Sequence, residues 1–263
     1  MTQDELLRLI DQAAAENWTT LDLAGKELSE LPPEIGKLTN LKTLVLGRWD
    51  KKKGLSGEAI GNNLRALPDE IEQLTELRSL FLVGNQLTEF PESICKLSQL
   101  KSLHLGRNCI ETIPESIGQL KALKLLRLWD NRLSTLPKSI SQLDKLISLN
   151  VGGNRFKELP KSVCQLRQLK SLFLWENQLN CLPQQIEQLV DLEKIGLGSN
   201  LFTEVPEVIF KLTNLTSLDL SGNQLKEVPE VIGQLTNLTS LNLWNNQLKE
   251  VPEVIGQLTN LTS

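Results

Sequence analysis

The sequence predicts an α/β solenoid: a curved horseshoe with a parallel β-sheet on its concave face and short 3-10 or single-turn helices on its convex face. Three observations carry this. Nine asparagines, from Asn62 to Asn246, recur at intervals of 23 residues. Leucines alternate with other residues just before each of them, and an apolar-proline pair follows each at a fixed distance. Self-similarity at such a period is the signature of stacked units, none of which can bury its apolar side alone.

The elements follow in order. Residues 3–16 have helical spacing, with Leu6, Leu9, Ile10, Ala13 and Ala14 on one face, and Thr2 with Glu5 makes a capping-box pattern. Residues 1–17 are therefore expected to cap a repeat domain of residues 18–263, covering a first repeat whose asparagine position is Lys26. The frame that follows is L-x-x-L-x-L-x-x-N-x-L-x-x-L-P-x-x-I-x-x-L-x-x; one copy, Leu123 to Lys145, reads LKLLRLWDNRLSTLPKSISQLDK. In x-x-L-x-L-x-x the alternation makes a short strand with its leucines turned into the core.

Asn62, Asn85, Asn108, Asn131, Asn154, Asn177, Asn200, Asn223 and Asn246 turn the chain after each strand. Their amides suit backbone groups of their own and adjacent repeats that would otherwise be buried unpaired. The proline suits the first position of a short helical turn, whose Ile and Leu then point inward. Ten repeats fit the frame, the first two irregularly, and an eleventh begins at Leu261. The last residues, Leu261-Thr262-Ser263, fall inside a strand motif, which leads to the expectation of a fragment of a longer protein.

One interruption breaks the period. Lys26 plus one period falls on Trp49, and Asn62 comes 13 residues later, so the extra residues lie within 48–60, RWDKKKGLSGEAI. Arg48, Lys51, Lys52 and Lys53 make this insertion basic. It is expected to project as a loop at the edge of the concave face, either as a solvated, tolerated insertion or as a clamp on an acidic partner.

The frame over residues 18–263 resembles leucine-rich repeats, and its LPxxIxxL half resembles the 23-residue intracellular type of Ras-suppressor-like proteins. The start is similar to a narrower group: ENWTTLDLAGKELSELPPEIGKLTNLKTLVLG, an interruption, then GNNLRALP resembles the N-terminal repeat domain of bacterial Roco proteins. In that family the repeats precede a Ras-like GTPase module and a dimerising module. The resemblance implies a parent protein that is a GTPase, and a partner that is either a separate protein or a C-terminal domain of the same chain.

Chemistry beyond binding is not written here. Residues 1–263 contain no G-x-x-x-x-G-K-[ST] phosphate loop, so no nucleotide site or other cofactor is expected and the chain itself reads as no enzyme. His104 is the sole histidine, which excludes a multi-histidine metal site and leaves a surface histidine as the simplest account. A net charge of −4 gives no footprint for nucleic acid, and no apolar run reaches the length of a membrane span. Cys95, Cys109, Cys164 and Cys181 form no C-x-x-C pair, and Cys95 and Cys164, three repeats apart, would stand ~14 Å apart at ~4.8 Å per strand, too far for a disulfide. Reduced thiols and the acids Asp4 and Glu5 near the start argue for a cytoplasmic protein.

The concave face is the informative surface. Its mid-strand column reads Asp22, Val45, Phe81, His104, Arg127, Asn150, Phe173, Gly196, Asp219, Asn242, and the column after the second leucine reads Ala24, Gly47, Val83, Gly106, Trp129, Gly152, Trp175, Gly198, Ser221, Trp244. Phe81, Trp129, Phe173 and Trp175 are expected to face solvent, with His104, Arg107 and Arg127 among them. Aromatics and arginine are the residue types enriched at binding hot spots, which makes these seven the candidate partner-binding set. The competing reading is that the rings stack across strands and stabilise the sheet. Repeats 215–237 and 238–260 differ only at Asp219/Asn242, Ser221/Trp244 and Gly222/Asn245, all on this face, which favours a surface adapted to a partner.

Overall fold

A computed structural model of the chain describes residues 1–50, 57–250 and 252–262. Lys51, Lys52 and Lys53 lie outside the described residues. The chain forms two compact units, Met1–Arg132 and Leu133–Ser263.

The first unit opens with helix α1, Gln3–Ala15, whose start carries the reciprocal capping box of Thr2 and Glu5. Leu6, Ile10 and Ala13 are its buried stripe. Lys37 of the first 3-10 turn, Pro33–Lys37, reaches back to Asp11 of the helix at 2.7 Å. The strands are β1 (Thr20–Asp22), β2 (Thr43–Asp50), β3 (Glu58–Ile60), β4 (Ser79–Leu82), β5 (Ser102–His104) and β6 (Leu125–Arg127). Apart from β3 they are parallel, and Leu21, Leu44, Leu80, Leu103 and Leu126 stand in register across them. One-residue slippage would turn every leucine to solvent, so the burial pattern itself fixes this register.

The second unit repeats the plan with β7 (Ser148–Asn150), β8 (Ser171–Phe173), β9 (Lys194–Gly196), β10 (Ser217–Asp219) and β11 (Ser240–Asn242). Leu149, Leu172, Ile195, Leu218 and Leu241 are in parallel register. In both units the returning leg is a 3-10 turn, such as Glu92–Lys96 or Gln184–Gln188, whose isoleucine is fully buried against the strand leucines. The parallel sheet backed by 3-10 turns is the α/β solenoid class that the repeat predicts. Each such side chain contributes roughly 1.5–3 kcal/mol on burial, so the repeated Leu and Ile positions dominate the stability of each unit.

The asparagines do what their position requires. Asn108 donates through Nδ2 to Leu105 O of its own repeat (3.0 Å) and to Leu82 O of the one before (2.9 Å), while its Oδ1 accepts from Leu87 N (3.1 Å). Asn131, Asn177, Asn200 and Asn223 repeat the pattern within their units. Asn62 closes the rung that the insertion interrupts: it bonds Leu23 O and Leu46 O and accepts from Lys26 N and Leu28 N.

Two local details depart from expectation. Most prolines sit one residue before the 3-10 turn rather than inside it, while Pro33 is inside its turn and Pro160 three residues before the turn Val163–Gln165: Pro68, Pro114 and Pro183 are extended, and the Pro68 carbonyl accepts the first turn bond, from Ile71 N at 3.2 Å. Proline's fixed φ suits that position, and its missing donor costs nothing there. From Asn85 onward the sharp turn after the strand belongs to the residue before each asparagine. Arg107, Asp130, Glu176 and Ser199 hold φ between 50° and 54°. A Cβ disfavours that conformation, and ladder bonds such as Arg107 N to Trp129 O at 2.9 Å hold it in place.

Candidate binding face

Positions between the buried leucines project onto the open face of the sheet. In the first unit Phe81, His104 and Arg127 are consecutive in register on β4, β5 and β6. The Phe81 and His104 rings stack, with centroids 4.4 Å apart and planes 23° apart. His104 Nε2 lies 2.7 Å from Ser102 Oγ. Burial first, and the neighbouring Arg127 guanidinium second, push the imidazole down to about 4. The expected surface histidine is therefore a half-buried, neutral ring at pH 7, and Arg127 beside it is exposed.

The second column shows why Gly and Trp alternate in it. A Cβ placed on Gly106 would stand 2.4 Å from the Trp129 ring, so the indole lies over the bare backbone of the preceding repeat. In the second unit Trp175 lies over Gly152 in the same way, and the edge of Phe173 lies against Gly196. Phe81, Trp129, Phe173 and Trp175, expected to face solvent, lie on the open face but are half-buried. For Trp129, Phe173 and Trp175 a glycine in a neighbouring strand lets the ring lie close to the backbone, and for Phe81 the His104 ring covers one face, which in each case removes part of the ring from water.

The described ends of the insertion are paired strands. β2 runs on to Asp50 and pairs antiparallel with β3, Arg48 opposite Ile60 and Trp49 opposite Ala59. Arg48 pairs with Asp22 on β1. Gly57, at φ +61°, lies directly against the Trp49 indole, where no side chain fits. Ala59 and Ile60 rest on Gly84 and Gly25. The hairpin thereby lays Trp49 onto the open face, edge-on to Trp129 at 5.1 Å and 88°. Beside the pair stands Arg107, its guanidinium 4.8 Å from the Trp49 centroid and 6.0 Å from that of Trp129, with Nε 3.3 Å from Asp130 Oδ2.

Sequence reasoning missed Trp49 and Trp244. Trp49 was hidden in the insertion, and only its pairing partner shows where it points. Trp244 is 78% exposed. Its ladder neighbour is Ser221, whose hydroxyl is fixed to Asp219 Oδ1 at 2.7 Å, so the bare backbone that receives Trp129 and Trp175 is missing. The signal was in the column: Gly-Trp, Gly-Trp, then Ser-Trp.

Chemistry of other kinds finds little footing. Among the described residues no group of three or more His, Cys, Asp or Glu side chains could hold a metal ion, and no helix is long and apolar enough to cross a membrane. Burial pushes the Cys164 thiol up to about 11 and raises that of Cys95, which makes both poor nucleophiles.

Residues 114–200 and 180–263, together more than half of the chain, match the family described as leucine-rich repeat region, and residues 75–133 match leucine rich repeat. Among solved structures, a leucine-rich-repeat protein of Leptospira interrogans is 34% identical over 96% of this chain and 73% of its own, with a TM-score of 0.70. The leucine-rich-repeat ectodomain of the plant receptor kinase GASSHO1/SCHENGEN3 from Arabidopsis thaliana, in complex with Casparian strip integrity factor 2, is 32% identical over 92% of this chain, with a TM-score of 0.74. A TDR receptor is 31% identical over 97% of this chain, with a TM-score of 0.72. The chain spans 29% and 48% of those two receptor chains. No curated protein matches the sequence.

Proposed function

Because the chain belongs to the leucine-rich-repeat family, whose members commonly hold protein partners, we propose that it is a protein-binding module and that its partner docks on the open face of the sheet. The observation that carries this reading is the gathering of Trp49, Arg107, Trp129, the Phe81–His104 stack and exposed Arg127 on the open face of the first unit. Phe173 and Trp175 offer a second aromatic contact in the other unit, and Trp244 a third. Half-buried rings present one face to a partner at little cost in conformational entropy, since packing has already fixed their rotamers. Free thiols at Cys95, Cys109, Cys164 and Cys181 fit a cytoplasmic setting. The fold is typically a non-catalytic scaffold.

The test uses a photo-crosslinking amino acid at Arg127 on the open face or at Lys161 on the turn side, in the native lysate. We expect a discrete crosslinked protein from position 127 only, lost when Trp129→Ala is added. Equal capture from both positions overturns the reading.

A second reading makes this chain the regulatory repeat region of a larger Roco-type GTPase, with the open face holding a domain of the same parent. It is supported by the resemblance of residues 16–68, interruption included. Residues 1–263 alone should then leave GTP unbound in a calorimetric titration with magnesium, and should bind the parent's GTPase part added in trans. Failure of that part to bind rejects this reading and leaves the first intact.

A further inference from the structure

A row of unpaired cations runs along the upstream ends of the strands in the first unit. Lys42, Arg78, Lys101 and Lys124 each stand two residues before a core leucine of β2, β4, β5 and β6. Backbone bonds join them rung by rung: Arg78 N donates to Lys42 O, Lys101 N to Arg78 O and Lys124 N to Lys101 O, each at 2.8 Å. All four side chains are exposed. None has a carboxylate within ion-pair distance among the described residues, although nearby Lys37 and Lys96 do. At ~4.8 Å per strand the row is ~14 Å long.

The second unit shows the same ladder position without this arrangement. There the backbone rungs join Ile147, Lys170, Glu193, Thr216, Thr239 and Thr262. Lys170 is paired with Glu193 at 2.7 Å. The hydroxyls of Thr216, Thr239 and Thr262 donate to the carbonyl of the rung before. The scaffold therefore needs no charge at this position, and where it carries one it neutralises it internally. Like charges on adjacent strands repel, so four in succession are a cost to the fold with no return inside the unit.

We propose that this row is a docking edge for an extended, acidic segment of a protein partner. Residues in extended chain advance ~3.3 Å each, so about five residues rich in Asp and Glu span the row, their carboxylates meeting the four cations. The row is one residue wide, flanked by Ser79 and Ser102, on a chain of net charge −4. A nucleic acid backbone needs a broad basic surface, whereas a short acidic peptide touches only the row. The edge is separate from the open-face aromatics, and its test stands apart from theirs.

The probe is a fluorescent ten-residue peptide of alternating Asp and Glu, with an Asn/Gln peptide and a duplex DNA as comparisons, followed by polarisation at low salt and at about 0.2 M salt. The acidic peptide should bind, and its affinity should fall at least about tenfold over that salt range. Lys101→Glu with Lys124→Glu should weaken binding by about tenfold or more while the melting temperature holds, as expected for exposed positions. Lys170→Gln should change it by less than about twofold. Unchanged binding by the double variant, equal binding of the neutral peptide, no binding at low salt, or tighter binding of the duplex would each overturn the proposal.

Discussion

Trp49 meets Trp129 edge-on, with ring centroids 5.1 Å apart and planes at 88°. One ring comes from the insertion and the other from a regular repeat, so the insertion is tied to the sheet it interrupts. An aromatic pair of this geometry contributes about 0.5–1.5 kcal/mol, and the Arg107 cation over Trp49 adds roughly 0.5–1 kcal/mol. Trp49→Ala should therefore lower the stability of the first unit by about 1–2 kcal/mol in urea. Hydrogen exchange should quicken at Arg48, Trp49 and Ala59 and stay unchanged in β8 to β10. Unchanged exchange in the hairpin would mean that Gly57, Ala59 and Ile60 hold it without the indole.

The asparagine ladder gives a sharper stability forecast. Asn131 is buried and serves Ile110 N, Leu105 O and Leu128 O. Asn131→Ala leaves these groups unpaired in a dry interior, at about 1–3 kcal/mol per group before relaxation. Lys161→Ala, exposed on the turn side, should cost less than about 0.5 kcal/mol. Equal urea midpoints for the two variants would show that the amide is dispensable.

The strands, the inward leucines and the asparagine rungs were legible because each is set by local periodicity and by backbone groups that must be satisfied. The positive φ before the asparagines from Asn85 onward was not, since residues as different as Arg107, Glu176 and Ser199 occupy that site under the pull of ladder bonds. Side-chain exposure was legible only in part. Phe81, Trp129, Phe173 and Trp175 do face outward, but how far each is buried depends on the neighbouring strand, with Gly106 and Gly152 admitting a ring and Ser221 refusing one. The hairpin was illegible because a 13-residue insertion breaks the period on which the other inferences rest.

That contrast separates two tryptophans. Trp129 is half-buried over Gly106, so Trp129→Ala should cost roughly 2 kcal/mol, about half the loss for a fully buried ring. Trp244 is 78% exposed, so Trp244→Ala should change the melting behaviour by less than about 0.5 kcal/mol. If Trp244 serves a partner, its variant loses binding with folding intact, the cleanest signature available on this face. Equal destabilisation by both substitutions would mean that Trp244 packs like the others.

The last prediction concerns pH. The His104 imidazole is held near 4 in the folded chain, chiefly by burial beside Phe81 and secondarily by Arg127, against 6.5 when unfolded. The folded state resists the proton that the unfolded state takes up. The stability tied to the neutral ring is therefore complete above about pH 6.5, declines as pH falls below it, and is gone below about 4. At 1.36 kcal/mol per unit this amounts to at most about 3 kcal/mol. Carboxylates contribute in the same direction: Glu5, lowered chiefly by its backbone bond to Thr2, also loses stabilisation on acidification. The comparison must therefore be made against a variant that shares them. His104→Phe keeps a ring on Phe81 and removes the titration. Urea unfolding at pH 7 and pH 4.5 should show wild type losing about 2 kcal/mol more than His104→Phe over that interval. Parallel losses in the two proteins would place His104 in water, and with it the stack that helps define the binding face.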